Sequence, residues 1–221
     1  MIVMTLRANN MKNSMIGVIT GDIVNSRQIP VGEYDSMLYR LHQTLETFSE
    51  RYQMHFDVFR GDEFQLLLKR PEKVIYLATI IRLSLKSGST NIDVRQSLSV
   101  GDSNELRDDV KSSTGEAFVL SGQNLNKMKS ELLIFDSTIE LLKHHLGSTI
   151  ELLDAHLSSL TKTEAYVLMS YLGDPEVLHA ELAKEIGKSR PNTTKMLNSA
   201  RYNSVLKYLY YAENLIIEAR G

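Results

Sequence analysis

The sequence predicts an α+β fold: a ferredoxin-like sheet with helices on one face, followed by an all-helical region. Three observations lead there. Short apolar runs and amphipathic stretches alternate as β-α-β-β-α-β-α-β up to about residue 136. Two of the runs, in Phe56 to Leu68, flank a tight Gly-acid-acid turn, Gly61-Asp62-Glu63, and so read as a β-hairpin with carboxylates at its tip. From about residue 138 the apolar residues recur only at helical spacing. Hairpin and crossover units in that order give the ferredoxin-like arrangement.

Each element has a local reason. Ile16 to Ile19 is an apolar run ending near Gly21-Asp22, a buried strand with an acid at its end. Tyr34 to Arg51 places Leu38, Leu41, Leu45 and Phe48 three and four residues apart, an amphipathic helix. Pro71 opens the next helix, where its missing N–H costs little, and that helix is strongly apolar to about Leu85. Ile92 to Val100 alternates as a strand, and Gly101 to Ser113, polar and acidic, reads as a surface loop. Glu116 to Lys129 is helical, Leu132 to Phe135 is the last strand, and Ser137 is placed to N-cap the following helix.

In the helical region, Thr161 and Glu164 form a capping box. Asp174-Pro175 breaks that helix, and a second spans about Val177 to Ile186. Gly187 ends it as a residue free to take positive φ, and Ser189 caps a third helix with Pro191 in its first turn. The small and apolar residues Leu182, Ala183, Ile186 and Met196 fall where a helix-turn-helix (about 161–200) needs them. The last helix, about Asn203 to Ala219, carries Val205, Leu206, Leu209, Leu215 and Ile216. The expected domains are a loose leader (1–14, with Met11 or Met15 as alternative starts), an α+β domain (15–136) and a helical domain (137–221).

The 221 residues are 43% hydrophobic and 24% charged, enough for one large domain or two small ones. Cysteine is absent, which excludes disulfides and thiolate metal sites and makes the cytoplasm the natural compartment. No apolar run approaches the roughly 20 residues that span a bilayer, so no membrane partner is expected. The net charge of -2 provides no global attraction to nucleic acid. Between Lys184 and Lys207, however, stand six basic residues and one acid, Glu185, a local net charge of +5. Lys188, Arg190, Asn192, Thr193 and Lys195, at the start of the third helix, are the candidate contacts to DNA phosphates and base edges. No Walker or dinucleotide glycine loop, nucleophile elbow or histidine metal spacing is present, and the adjacent His144 and His145 read as surface residues.

Asp22 ends the first strand and Asp62 caps the hairpin; acids ending neighbouring strands form a plausible site for a divalent cation and a nucleotide phosphate. Arg27, after Asn25 and Ser26, is a candidate phosphate contact.

The run Gly21-Asp22-Ile23-Val24-Asn25-Ser26-Arg27, then Gly61-Asp62-Glu63-Phe64-Gln65, then Gly115-Glu116-Ala117-Phe118 with Ser121-Gly122, resembles the SatD-like family of bacterial proteins. That family in turn resembles, more distantly, the nucleotidyl cyclase and GGDEF diguanylate cyclase fold. The resemblance implies a nucleotidyl-cyclase-type domain in which Asp22 and Asp62, helped by the Ile23 carbonyl, hold Mg²⁺ or Mn²⁺, with Glu63 a further candidate. It also marks departures. Arg60 stands where GGDEF enzymes have glycine, crowding the nucleotide's approach or meeting a phosphate. The cyclase pattern Gly-x-x-x-Asn-x-x-x-Arg, laid on Gly115, puts Val119 at the asparagine and Gln123 at the arginine, so cyclase chemistry is not expected.

The function expected is a cytosolic DNA-binding regulator with a degenerate cyclase-like domain that senses a nucleotide or metal. One alternative is a divergent two-metal nucleotidyl cyclase or nucleotidyltransferase. The other is a protein-interaction scaffold that forms a homodimer through the apolar C-terminal helix.

Overall fold

A computed structural model describes residues 14–59, 61–88, 92–107, 110 and 113–220. Arg60 and nearly all of the expected leader therefore lie outside the described residues. The chain runs β1 (Met15–Ile23), α1 (Val31–Tyr52), β2 (Met54–Phe59), β3 (Glu63–Leu68), α2 (Val74–Lys86), β4 (Val94–Glu105), β5 (Thr114–Gly115), α3 (Glu116–Lys127) and β6 (Leu133–Ser137). Five helices follow: α4 (Glu140–Ser159), α5 (Lys162–Gly173), α6 (His179–Glu185), α7 (Arg190–Ser199) and α8 (Tyr202–Arg220). Short 3₁₀ turns at Ser26–Gln28 and Pro71–Lys73 precede α1 and α2, so Pro71 opens a turn leading into α2. No helix among the described residues is long and apolar enough to cross a membrane.

The sheet order is β2-β3-β1-β4-β5, with β6 also on β4. Every pairing is antiparallel except β4 with β6. β1 is central because its alternate residues are buried on both faces. Met15, Ile19 and Ile23 join the core built with α1 and α2, whereas Ile16 and Val18 pack with Leu67 and Ala117 of α3. The expected placement of helices on one face is thus corrected: α3 covers the opposite face. A strand apolar on both faces needs cover on both.

Three local expectations change. Residues 101–105, read as loop, continue β4: Gly101 and Asp102 pair with Ile16 and Met15, and Ser103 with Gly115. Backbone pairing does not require apolar side chains, so a polar strand end is invisible to periodicity. The short β5 was likewise hidden. Ser137 lies in β6 and does not cap α4, whose N-cap is Ile139. The Ser137 hydroxyl instead donates to the Val100 carbonyl (2.6 Å) and accepts from the Ile139 N–H (3.1 Å).

Helix α2 explains how the helical region sits. Its residues are buried throughout, save for partly exposed Tyr76, because it lies between the sheet and the C-terminal helices. One continuous core runs from β1 through α2 into α4, α5 and α8. The fully buried Arg82 of α2 ties this layer together. Its guanidinium donates to Asp93 (2.7 and 3.1 Å), to Asp154 of α4 and to the Ser158 hydroxyl (2.8 Å). Asp154 in turn accepts the Leu132 N–H at 2.9 Å, which fixes the entry to β6. The Tyr76 hydroxyl donates to the Leu172 carbonyl of α5 (3.1 Å), and its burial pushes its pKa well above the usual range.

Candidate functional site

The end of the sheet where β1 finishes carries the acids. Along β1 the residues facing α3 are Ile16, Val18, Thr20 and Asp22, so period two sets the Asp22 side chain on the α3 face. Register then surrounds it: Glu63 lies opposite on β3 and Arg95 opposite on β4. The hairpin tip is brought alongside by the backbone, since the Ile23 N–H donates to the Asp62 carbonyl at 2.9 Å. Gly61 makes the turn possible. Its φ is +81°, and a Cβ there would stand 2.4 Å from the Tyr34 hydroxyl oxygen.

Asp22 and Asp62 are therefore at one end of the sheet, with neighbouring backbones. Both are half-buried, while Glu63 and Arg27 are exposed. The loop after β1 closes over the tip: Asn25 adopts a left-handed conformation (φ 54°), and the Ser26 hydroxyl donates to Asp62 Oδ2 at 2.7 Å. Arg27 follows in the same turn, with its side chain exposed.

Sequence reasoning missed Arg95. Its Nε donates to Asp22 Oδ1 at 3.0 Å and its Nη2 closes a second contact to Asp22 Oδ2. This fork engages both carboxylate oxygens and raises the Arg95 pKa, chiefly through the hydrogen bond to Asp22. The available signal was a lone cation in an otherwise uncharged strand stretch, 94–101. Using it required the β1–β4 register.

Below the acids a polar layer joins the sheet to α3. Gln65 Nε2 donates to Thr20 Oγ1 (3.1 Å), and the hydroxyls of Thr20 and Ser121 are 2.8 Å apart. The Ser97 hydroxyl, opposite Thr20, is buried without a hydrogen-bond partner. Ser121 and Ala117 face the sheet, whereas Val119 (55% exposed) and Gln123 lie on the outer surface of α3. Val119 lacks the amide of the cyclase pattern, and the neutral Gln123 lacks its cation.

The donors near the tip are all oxygen, which suits a hard cation such as Mg²⁺ or Mn²⁺. Among the described residues no three His, Cys, Asp or Glu side chains assemble to hold a metal. Asp22 and Asp62 are the carboxylates that would hold such an ion, since Mg²⁺ is commonly bound through one or two carboxylates, water and substrate phosphates. Bound there, an ion would offset phosphate charge, and Asp22 would have to exchange Arg95 for it.

The second candidate surface is on α6 and α7. Gly187, at φ +65°, ends α6, and the Ser189 hydroxyl accepts the Asn192 N–H at 3.4 Å to open α7. Lys188, Arg190, Asn192 and Lys195 are exposed, as expected. Thr193 is not: it is fully buried, and its hydroxyl donates to the Ser189 carbonyl (3.1 Å). It is withdrawn as a DNA contact, because its helical phase puts it beside buried Leu197 on the inner face. The capping box of α5 forms with both bonds, Thr161 N–H to Glu164 Oε2 (2.9 Å) and Glu164 N–H to Thr161 Oγ1 (3.3 Å).

The apolar face of α8, on which a homodimer was expected to rest, is spent within the chain. Val205, Leu209, Ala212 and Ile216 are buried in the common core. What α8 leaves outside is Tyr210, Tyr211 and Ile217, each 43–51% exposed.

The model of the SatD family matches residues 15–115, so the resemblance read from the motifs stands for that part of the chain. No curated protein matches. Similar solved structures include a bacterial light-regulated adenylyl cyclase, at 14% identity and a TM-score of 0.40, covering 55% of this chain and 75% of that one. The guanylyl cyclase Cya2 is similar at 13% identity and a TM-score of 0.41, covering 55% of this chain and 74% of its own.

Proposed function

We propose that this protein is a cytoplasmic DNA-binding regulator. Its N-terminal domain binds a metal–nucleotide complex at Asp22 and Asp62, and its α6–α7 unit acts as a helix-turn-helix. The observation that carries the reading is the division of α7 into two faces. Lys188, Arg190, Asn192 and Lys195 are exposed at its start, while Thr193 and Leu197 anchor it to the core. A cationic helix start on a firmly packed helix is the form in which phosphates and base edges are met. The adjacency of the two acids and the exposed Arg27 support the nucleotide part. Turnover is not part of the proposal, since the cyclase pattern laid on Gly115 finds valine and glutamine, Val119 and Gln123, where it calls for asparagine and a cationic arginine.

Duplex-DNA binding by the full chain, measured across a salt series, tests this. The full chain is required because α5 and α8 share their core with α2. Each lost phosphate contact reduces the slope of log K against log salt by about 1, so the double variant Lys188→Ala, Arg190→Ala should reduce it by about 2. A slope near zero in the wild type, or one that the double variant leaves unchanged, refutes the DNA-binding reading.

A further inference from the structure

We infer that the crevice between α4 and α8 is a binding site for a small amphipathic carboxylate. The crevice has a volume of about 350 Å³ and its walls are apolar: Leu152 and Leu153 from α4, Val205 and Tyr208 from α8. That volume falls in the range of pockets that hold small organic ligands, about 300–1,000 Å³. Leu153 and Val205 are part of the core, so the floor is rigid, but Leu152 is 74% exposed at the mouth. A leucine held so far out of the core beside an open apolar crevice gains nothing from the chain itself.

The polar groups without a side-chain partner among the described residues sit at one end. Arg201 and Ser204 line the crevice where α7 passes into α8. The Arg201 guanidinium has no ion-pair or hydrogen-bond partner among the described residues, unlike those of Arg82 and Arg95. Its backbone is left-handed, with φ 52°, and its N–H closes the end of α7 on the Asn198 carbonyl (3.1 Å). Arginine has no intrinsic preference for that conformation. The other polar groups of the lining are already satisfied. His156 Nε2 lies 3.0 Å from the Ala200 carbonyl, and the Thr149 and Tyr208 hydroxyls are 3.3 Å apart. An apolar body with a single anionic head at the Arg201 end complements this distribution. A neutral ligand leaves the cation unused, and a polyanion finds no lysine or second arginine in the lining, where His156 is already engaged with the Ala200 carbonyl.

Calorimetric titration of the full chain with octanoate and, in parallel, with 1-octanol tests the assignment. Octanoate should bind saturably. Arg201→Asn, which keeps a residue tolerant of positive φ, should weaken octanoate about fivefold or more and leave octanol unchanged. Ser204→Trp, which fills the crevice from an exposed position, should abolish binding of both. Far-ultraviolet circular dichroism establishes that each variant is folded. Three outcomes overturn the inference: no saturable binding of octanoate, equal loss of both amphiphiles in Arg201→Asn, or light scattering in which octanoate dissociates a dimer. The last would make the crevice a contact between copies of this chain.

Discussion

Truncating Arg95 to alanine separates two roles for Asp22. In the resting protein both carboxylate oxygens are held by the Arg95 fork, so a cation reaching Asp22 must displace a guanidinium. Two unit charges about 4 Å apart attract by about 4 kcal/mol at an effective dielectric of 20. Arg95 is 35% exposed and Asp22 20%, so solvent screening and side-chain ordering remove most of that. About 1 kcal/mol net remains. Arg95→Ala should therefore cost the fold at most about 1 kcal/mol, yet strengthen Mn²⁺ binding roughly fivefold, since tenfold corresponds to about 1.4 kcal/mol. Free Mn²⁺ followed by electron paramagnetic resonance gives the affinity directly, and Asp22→Asn should remove the gain. Unchanged or weaker Mn²⁺ binding in folded Arg95→Ala would refute the view that Asp22 is a cation ligand guarded by Arg95.

Three further outcomes follow from the packing. Arg82→Met leaves Asp154 without its buried cation and Asp93 with Lys86 alone (3.5 Å), and should lower stability by about 3 kcal/mol in urea unfolding. Gly61→Ala forces a side chain into a left-handed turn against the Tyr34 hydroxyl; a loss of roughly 1–3 kcal/mol and weakened Mn²⁺ binding are expected. Burial pushes the Tyr208 pKa up to about 12, above its unfolded value. Its contribution is then fully present below pH 10 and is lost as pH rises toward 12, because the unfolded chain ionises first. Stability measured from pH 9 to 12 should fall less steeply in Tyr208→Phe than in the wild type.

Much of this protein was legible from residue order alone. Periodicity located α1, the hairpin, α3 and the helices of the C-terminal region, because spacing of apolar residues decides which face can be buried. Local chemistry did the same for the capping box at Thr161 and the turns at Gly61 and Gly187, whose interactions span only a few residues. The acids Asp22 and Asp62 were recognisable as a pair through their motifs.

What the chain order could not decide was everything set by register and by second faces. Arg95 meets Asp22 only because β1 and β4 pair antiparallel at that register, 73 residues apart in the chain. Thr193 is inside and Lys195 outside by helical phase against a core assembled from remote elements. The all-apolar α2 announced burial on every side, but only the tertiary structure showed that α5 and α8 supply the second side, consuming the face of α8 that looked free for a partner. Local propensities and spacing act within a few residues; ion pairs across strands and shared cores are fixed by the fold as a whole.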